Sequence, residues 1–370
     1  MSVEIREINE ESLPAFIDYP FELFKGHPHW IGELKKDTRH MLDLSHPFWR
    51  HAERKLFLAY RGGQPAGRIA AIVNRAHNSF HGENCGFFGF FDCEDRQETA
   101  DALFAAAAKY LKAMGMEALR GPVNPSTNET CGMLAEGFDS DPMIMMPYNP
   151  PYYLDLASGA GFVKAKDLLA FRVDPAIGFG KRFEKIVARM NRSGAVKLEL
   201  VDIKKLAQAI ADIKDIYNGA WEKNWGFVPM TDAEFDDLAV AMKPLLKPDY
   251  LYFARVDGKP AGFVMLLPNF NIPMKAARGS LNALTILPFL WNMMFRMNNG
   301  RLLTLGVKKE FRNRGIEMLL IKQAFEAGQK MKWTFGEMSW TLEDNDLINR
   351  PIEAIGGKVY KKYRIFEKKI

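Results

Sequence analysis

The chain is poor in cysteine and histidine. Its 370 residues include three cysteines, Cys85, Cys93 and Cys131, which form no C-x-x-C pair and leave an odd thiol. This number and spacing argue against a disulfide framework and a cysteine zinc site, so we expect reduced, structural thiols. All seven histidines lie between His27 and His81, so the C-terminal half has no imidazole for base catalysis or metal binding. We expect no metal site.

Long apolar runs are also missing. The first residues, MSVEIRE, contain no apolar signal core, and no stretch approaches the roughly 20 apolar residues that span a bilayer. We therefore expect a cytoplasmic protein without a transmembrane segment. The composition, 48% apolar and 26% charged, is typical of a packed globular protein. A chain of 370 residues exceeds what one hydrophobic core usually organises, which predicts two domains.

The excess of positive charge is confined to the C-terminal end. Residues 301–370 contain 15 Lys and Arg against 9 Asp and Glu, whereas residues 1–300 contain 35 against 36. Local basicity suits a ligand that carries phosphates, and it is equally typical of a solvated basic tail. Nucleic acid binding needs a larger or more aromatic basic patch, so we expect none.

One twelve-residue pattern occurs twice, at a constant offset of 195 residues. LFLAYRGGQPAG at 56–67 matches LYFARVDGKPAG at 251–262. Each copy predicts a β-hairpin, because an apolar strand lies on either side of a turn that contains Gly63 or Gly258. The predicted order of strands and helices around both hairpins is the same, which indicates a duplicated domain.

This order predicts a mixed α/β (α+β) protein of two tandem domains, each with a mixed, mostly antiparallel twisted sheet flanked by helices. We expect the first domain at residues 1–178, a linker helix at 179–195 and the second domain at 196–370. Thr231 followed by Glu234 forms a capping box and supports a helix start there. After its hairpin, the second copy is predicted to continue with strand 302–307, helix 316–331, strand 335–342, helix 346–355 and strand 359–366.

The stretch LGVKKEFRNRGI at 305–316 has the composition of an anion-binding loop. A strand ends at Val307, a basic loop follows, and a helix begins at Gly315. Backbone N–H groups at a helix N-terminus bind phosphate, and glycine permits close approach of the backbone. A helix start with a solvated basic turn would have the same sequence, so the interpretation depends on the surrounding elements.

The loop resembles the acyl-CoA pyrophosphate loop of the GNAT superfamily of N-acetyltransferases, whose core reads Arg/Gln-x-x-Gly-x-Gly/Ala after a strand that contains valine. Arg312, Arg314, Gly315 and Ile316 fall on that pattern, whereas Glu317 stands where the family usually has Gly or Ala. The resemblance implies that acetyl-CoA or another acyl-CoA binds here as a co-substrate. The residues that it assigns to this cofactor site are Leu305, Gly306, Val307, Arg312, Asn313, Arg314, Gly315, Ile316 and Asn345.

The helix after the fifth strand also resembles the family, with one departure. Counted from Asn345, the apolar residue three positions on is Ile348 and the glycine at eleven is Gly356, but position seven is Ile352. The tyrosine that often protonates the departing CoA thiolate in this family is therefore missing. Tyr360 on the next strand is the candidate substitute, although such aromatics are often packing. A thiolate needs little acid help, because free thiols titrate near pH ~8.5.

The first copy has a similar late helix but no phosphate loop. DCEDRQE at 92–98 takes its place, and these carboxylates at a helix start would repel a pyrophosphate. We therefore expect one copy to bind CoA. Tandem GNAT-like domains with a single cofactor site resemble the Fem-type peptidyltransferases and the N-myristoyltransferases in architecture, which implies no particular substrate.

The strand at 335–342 carries the candidate catalytic residues. Alternation places Glu337, Ser339 and Glu343 on one face, as it would on a solvated strand. Acylation requires a neutral amine, so a carboxylate is a reasonable general base, and Glu337 and Glu310 are the candidates.

The acceptor side is less well defined. Residues 221–227 and 121–128 are rich in rigid aromatics or amides, which suit recognition as well as ordinary turns. The second copy also has an apolar insert at 271–299. It could cover an acyl chain or the acceptor, touch a membrane surface, or fill a core.

These observations favour an acyl-CoA-dependent N-acyltransferase that acts on a small-molecule or peptide amine by direct attack on the thioester. A GNAT-shaped binding protein that has lost catalysis is one alternative, favoured by Glu317 and the missing tyrosine. An aminoacyl-tRNA-dependent transferase of the Fem type is another, and the near-neutral residues 1–300 argue against it. The acceptor, the acyl chain length and the oligomeric state cannot be read from the sequence.

Overall fold

The computed structural model describes residues 2–202, 206–221 and 224–370. The elements up to residue 173 are β1 (Val3–Glu7), α1 (Leu13–Leu23), α2 (Lys35–Leu42), β2 (Ala52–Arg61), β3 (Gln64–Asn74), α3 (Arg75–His81), β4 (Cys85–Cys93), α4 (Gln97–Ala113), β5 (Ala118–Gly121), β6 (Val123–Asn124), β7 (Thr130–Cys131), β8 (Met133–Glu136), α5 (Tyr152–Gly159) and β9 (Val163–Val173). The later elements are α6 (Lys181–Ser193), β10 (Val196–Leu200), α7 (Leu206–Ala220), α8 (Asp232–Met242), β11 (Leu251–Val256), β12 (Lys259–Pro268), α9 (Asn271–Ala277), α10 (Ile286–Phe295), β13 (Asn299–Val307), α11 (Ile316–Lys330), β14 (Phe335–Leu342), α12 (Asp346–Ala354) and β15 (Lys358–Lys369).

The repeated segments are β-hairpins, as predicted. β2 pairs antiparallel with β3, and β11 pairs in the same way with β12. Both turns need positive φ, which Gly63 (+80°) and Gly258 (+77°) adopt without a Cβ clash. The register shifts directly after Ala59 in the first hairpin and directly after Ala254 in the second. The duplication therefore extends to a backbone irregularity at the same offset of 195 residues.

Each of two compact units contains a mixed, mostly antiparallel sheet. In the first, the strands follow the order β1-β2-β3-β4-β5, with β4 and β5 parallel and the other pairs antiparallel. In the second, the order is β10-β11-β12-β13-β14, with β13 and β14 parallel. Helices α4 and α11 make the two parallel crossovers. The predicted fold class is confirmed.

The division into units departs from the linear boundaries expected from the sequence. Unit 1 consists of Met1–Leu168, Asn271–Met293 and Lys361–Ile370, and unit 2 consists of Leu169–Phe270 and Met294–Tyr360. Most of the apolar insert, Asn271–Met293, and the C-terminal residues Lys361–Ile370 were expected in the second domain and belong instead to the compact unit formed by N-terminal residues.

Hydrogen bonds explain how these late segments attach within unit 1. The Asn271 side-chain amide donates to the carbonyl of Met143 at 2.9 Å. The ammonium of Lys361, a fully buried residue, donates to the carbonyls of Gly137 and Ser140. A buried ammonium without acceptors would be strongly destabilising, so the buried position of Lys361 depends on these two carbonyl groups.

Helix α6, expected as a linker, is part of the core of unit 2. Its spacing places Phe183, Val187 and Met190 on one face, and all three side chains are buried. Met190 also packs under the predicted phosphate loop, because a Cβ added at Gly315 would lie 2.5 Å from its sulfur.

The capping box predicted at Thr231 is confirmed. Thr231 and Glu234 form both hydrogen bonds of a capping box at the start of α8. All three cysteines are buried. None of the helices in the described residues is long and apolar enough to cross a membrane.

Removal of one partner from a buried ion pair in unit 1 should be strongly destabilising. Arg68 Nε donates to Asp92 at 2.7 Å, and its guanidinium also donates to the carbonyl of Phe16 at 2.8 Å. Burial raises the pKa of Asp92 because it disfavours the charged carboxylate, and the nearby guanidinium of Arg68 offsets this desolvation cost. We expect Arg68→Met to lower the free energy of unfolding, measured by urea denaturation, by about 3 kcal/mol, since it leaves a buried carboxylate without its partner.

The matched control is Arg75→Met, which removes an arginine whose side chain is 57% exposed and bonded to Glu53. Exposed ion pairs contribute about 0 to 1 kcal/mol, so this variant should unfold close to wild type. Equal losses in the two variants would contradict the assignment.

Candidate functional site

The predicted phosphate loop is a helix N-terminus with two left-handed residues in front of it. β13 ends at Val307, a 3-10 turn spans Lys309–Phe311, and α11 begins at Ile316. Asn313 has φ +60° and Gly315 has φ +78°. Asparagine and glycine are the residues that adopt this conformation most readily, which explains why this sequence forms this loop.

The loop presents a row of unpaired backbone donors. The Arg312 N–H still donates to the carbonyl of Lys309, and Met318 and Leu319 donate to Gly315. Between them, the N–H groups of residues 313–317 have no acceptor in the part of the chain that the structure describes. Five such groups at the positive end of a helix form a cradle for an anion.

Arg312 shapes the cradle through backbone contacts. Its guanidinium donates to the carbonyl of Val307 at 3.3 Å and to that of Ala220 at the end of α7. Arg314 is exposed, and its guanidinium lies 5.5 Å from the centre of the Phe311 ring. Arg314 and Lys309 are the exposed cations of this loop, so their side chains are the ones free to reach a phosphate.

Glu317, the departure from the family pattern, lies in the first turn of α11. It is half-buried, and no hydrogen bond or ion pair to its carboxylate occurs within the described residues. A carboxylate there stabilises the helix dipole, and it competes with any bound anion for the same field.

Beside this loop, the parallel strands β13 and β14 separate. They pair from Asn299 with Phe335 to Leu302 with Met338, and no later pair joins them within the described ranges, although both strands continue. The cause is a bulge at Leu303, because Leu302 pairs with Leu266 and Thr304 pairs with Met265 in β12. A bulge bends its strand and increases the local twist, so β13 turns away from β14.

The other side of β13 is packed, which leaves the edge toward β14 as its open one. Residues 304–307 pair with β12. A Cβ added at Gly306 would lie 2.6 Å from the Trp221 ring, so this indole rests on the strand. Leu303 and Leu305 are half-buried beside the gap. The gap therefore has an apolar wall and a free backbone edge.

The corresponding gap in unit 1 is closed. A Cβ on Gly89 would lie 1.7 Å from the carbonyl oxygen of Val123, so the backbone of β6 lies directly against β4. Asn124 Oδ1 accepts the N–H of Phe90 at 2.6 Å. Of residues 121–128, suggested as part of an acceptor pocket, Gly121, Val123 and Asn124 thus pack against β4.

Carboxylates of the loop in unit 1 are also neutralised internally. Arg61 donates to Glu94 at 2.8 Å and to Glu98 at 3.1 Å. The hydroxyl of buried Tyr153 accepts the N–H of Cys93 at 2.9 Å. These contacts occupy the end of β4 and the loop that follows it. In the equivalent loop of unit 2, after β13, the N–H groups of residues 313–317 are unpaired.

Two predicted catalytic residues, Glu337 and Tyr360, are brought into contact in unit 2. The Glu337 carboxylate has no solvent exposure and accepts the hydroxyls of Tyr360 and Ser339. The Ser339 contact agrees with the prediction that Glu337 and Ser339 lie on the same face of β14. Arg301, paired in register with Glu337, places Nε 3.7 Å from the carboxylate. Sequence reasoning missed Arg301; its signal was a single basic residue entering an apolar strand.

The other predicted positions have different local environments. Glu310 is exposed in the 3-10 turn after β13. Asn345 is the residue before α12, where it makes no side-chain capping bond. Ile352, at the position of the missing tyrosine, is fully buried in the core of unit 2. Within residues 221–227, Phe227 is buried, and positions 222 and 223 lie outside the described residues.

Comparison with known proteins agrees with this geometry. A family model described as "Acetyltransferase (GNAT) family" matches residues 210–348. The chain is 32% identical to "Protein YghO" of Escherichia coli (strain K12), over 98% of this chain and 94% of that protein. It is 34% identical to "Bacterial ceramide synthase" of Caulobacter vibrioides (strain NA1000 / CB15N), over 96% of this chain and 94% of that protein.

A solved structure shares the fold over the full length. It is described as a tandem GNAT protein from the clavulanic acid biosynthesis pathway, and it superposes with a TM-score of 0.59 at 12% identity, covering 100% of this chain and 98% of that chain. At this identity the likeness concerns the fold alone. The family model and the two full-length relatives show that the chain belongs to the GNAT acetyltransferase family, and the shared fold shows that it contains two GNAT-like domains in tandem.

Proposed function

We propose that the protein is an acyl-CoA-dependent N-acyltransferase with a single cofactor site, in unit 2. The observation that carries this proposal is the row of unpaired N–H groups at residues 313–317 beside the open edge of β13. The pyrophosphate of CoA would accept from these donors, with Arg314 as an exposed cation between them. The closed gap and neutralised loop of unit 1 support one site and not two.

The thioester would lie in the gap between β13 and β14. Leu303 and Leu305 offer an apolar wall for the pantetheine arm, and the bulged backbone offers polar groups to the thioester carbonyl. The irregular strand β4 of unit 1 offers a parallel, because the N–H of Phe90 there donates a hydrogen bond to Asn124 Oδ1.

Tyr360 and Glu337 would together accept the proton of the amine and supply one to the departing thiolate. The neutral amine attacks the carbonyl carbon, a C–N bond forms, the C–S bond breaks, and the nitrogen loses one proton while the sulfur gains one. Glu337 takes the amine proton, Tyr360 gives its hydroxyl proton to the thiolate, and the Glu337 proton returns to Tyr360. Glu310 is exposed and stands as a second candidate base.

The acceptor is proposed to be the amine of a long-chain amino alcohol. The name of the Caulobacter relative refers to ceramide, an amide of that class, and this relative covers almost the whole chain. The unusually apolar segment at 271–299 supports a lipid-like substrate. An acyl-CoA longer than acetyl-CoA is then the expected donor. The cytoplasmic location stays a prediction.

A panel of ligands tests the function and its alternative. Calorimetric titration with CoA, acetyl-CoA and palmitoyl-CoA measures binding, and thiol release in the presence of sphinganine or a short alkylamine measures turnover. Binding with turnover of sphinganine is the expected result. Binding without turnover of either amine would favour the binding-protein alternative, which Ile352 and Glu317 support. Absence of CoA binding would overturn both.

Asn313→Asp should weaken CoA binding about tenfold, because it adds a negative charge at the cradle without adding bulk. Aspartate also tolerates the left-handed conformation at this position. Asn9→Asp is the control: it makes the same change in unit 1, where Oδ1 accepts the Ser12 N–H and a carboxylate would do so too. Calorimetry compares both dissociation constants with wild type, and an unchanged affinity in Asn313→Asp would refute the pyrophosphate assignment.

Glu317→Gln should tighten CoA binding by about 3- to 10-fold, because it removes a carboxylate from the first turn of α11 at constant shape. The same titration measures the effect. A clear loss of affinity would instead show that the carboxylate supports the loop.

Tyr360→Phe should lower kcat about 100-fold with little change in KM for the acyl-CoA, because it removes the proposed proton carrier and no cofactor contact. Tyr363→Phe makes the same chemical change three residues along β15, at a buried position of unit 1, and should retain kcat. Equal rates in the two variants would assign Tyr360 to packing.

A further inference from the structure

Helix α10 exposes apolar side chains along one face. Leu287, Leu290, Trp291, Met294 and Phe295 are all exposed, and they follow the spacing i, i+3, i+4, i+7, i+8 that defines one side of a helix. No side chain of α10 is buried. The stripe that normally faces a core therefore faces outward.

Exposure of this size separates α10 from an ordinary surface helix. Leu287 is 72% exposed and Met294 is 69% exposed, and Leu284, one turn before Leu287, is 87% exposed. Isolated exposed leucines are normal, but a contiguous apolar patch marks an interaction surface. Of the roles that the sequence left open for the apolar insert, filling a core is thus wrong for α10.

The charges that flank α10 have one sign. Residues 271–299 contain Lys275, Arg278 and Arg296 and no Asp or Glu, whereas a segment of that length in this chain contains on average three to four acidic residues. Lys275 pairs with Asp141 at 2.7 Å. Arg278 and Arg296 are exposed, and neither has an acidic partner within the described residues.

We propose that α10, with Leu284, Arg278 and Arg296, is a docking surface for an anionic phospholipid bilayer. The ten residues of α10 are too short to cross a bilayer, so the helix would lie in the plane of the interface with its stripe among the acyl chains. The two arginines would contact anionic headgroups. A second copy fits less well, because a self-complementary contact would bring the same cations together without a carboxylate between them.

Vesicle co-sedimentation of the full chain, without CoA, tests the docking surface independently of acyl transfer. The vesicles are phosphatidylcholine alone or an equal mixture of phosphatidylcholine and phosphatidylglycerol. We expect binding to the mixture to be about 10- to 30-fold tighter and to weaken with salt. The Arg278→Asn/Arg296→Gln variant should lose this preference, and Leu287→Gln/Met294→Gln should bind either vesicle at least about tenfold more weakly.

Val240→Gln is the matched control, because Val240 lies in α8 and is 75% exposed, outside the proposed surface. It should bind the mixed vesicles as wild type does. Circular dichroism and urea unfolding should match wild type in every variant, since the replaced side chains are exposed. The proposal is overturned if wild type stays in the supernatant with both vesicles. It is also overturned if the Leu287→Gln/Met294→Gln variant converts a dimer into a monomer by light scattering, which assigns the face to a second copy.

Discussion

The bulge at Leu303 is the constraint on which the candidate site depends. It lies where β13 stops pairing with β14, and the strand that leaves the sheet there runs into the loop that precedes α11. An open backbone edge and a helix N-terminus are thereby placed at the same end of one strand. Backbone donors in such positions cost little to maintain while water solvates them, and they become ligand-binding groups when an anion replaces the water.

The two copies have the same scaffold, but they differ at the position of the candidate site. Both sheets have a parallel pair joined by a crossover helix, and both central strands are irregular near the point where pairing ends. In unit 1, Val123 and Asn124 lie against β4, and Arg61 neutralises the acidic loop. Those contacts convert the open edge into packed core, which favours stability over ligand binding.

The buried cluster around Glu337 bears on both stability and the proposed proton transfer. A carboxylate without solvent exposure is costly unless donors or a cation compensate it, and here Tyr360 and Ser339 donate hydrogen bonds while Arg301 supplies a nearby positive charge. The same contacts would connect a proton acceptor to a hydroxyl that can release its own proton. This arrangement suits a GNAT enzyme that has Ile352 where a tyrosine is usual.

Much of the fold follows from local sequence signals. The hairpin turns, the Thr231 capping box and the strand and helix order depend on neighbouring residues, so the sequence predicted them to within a few positions. The conformation of the loop at 305–316 was predictable for the same reason, because left-handed residues and a helix start are local properties.

The sequence by itself determined the local elements, the duplication and the loop at 305–316. Only the tertiary structure decided that residues 271–293 and 361–370 belong to unit 1, that α6 packs in unit 2, and that Arg301 meets Glu337. Strand pairing and side-chain burial are contacts between residues far apart in the chain. Periodicity shows which face of an element is apolar, but it does not show which surface covers that face.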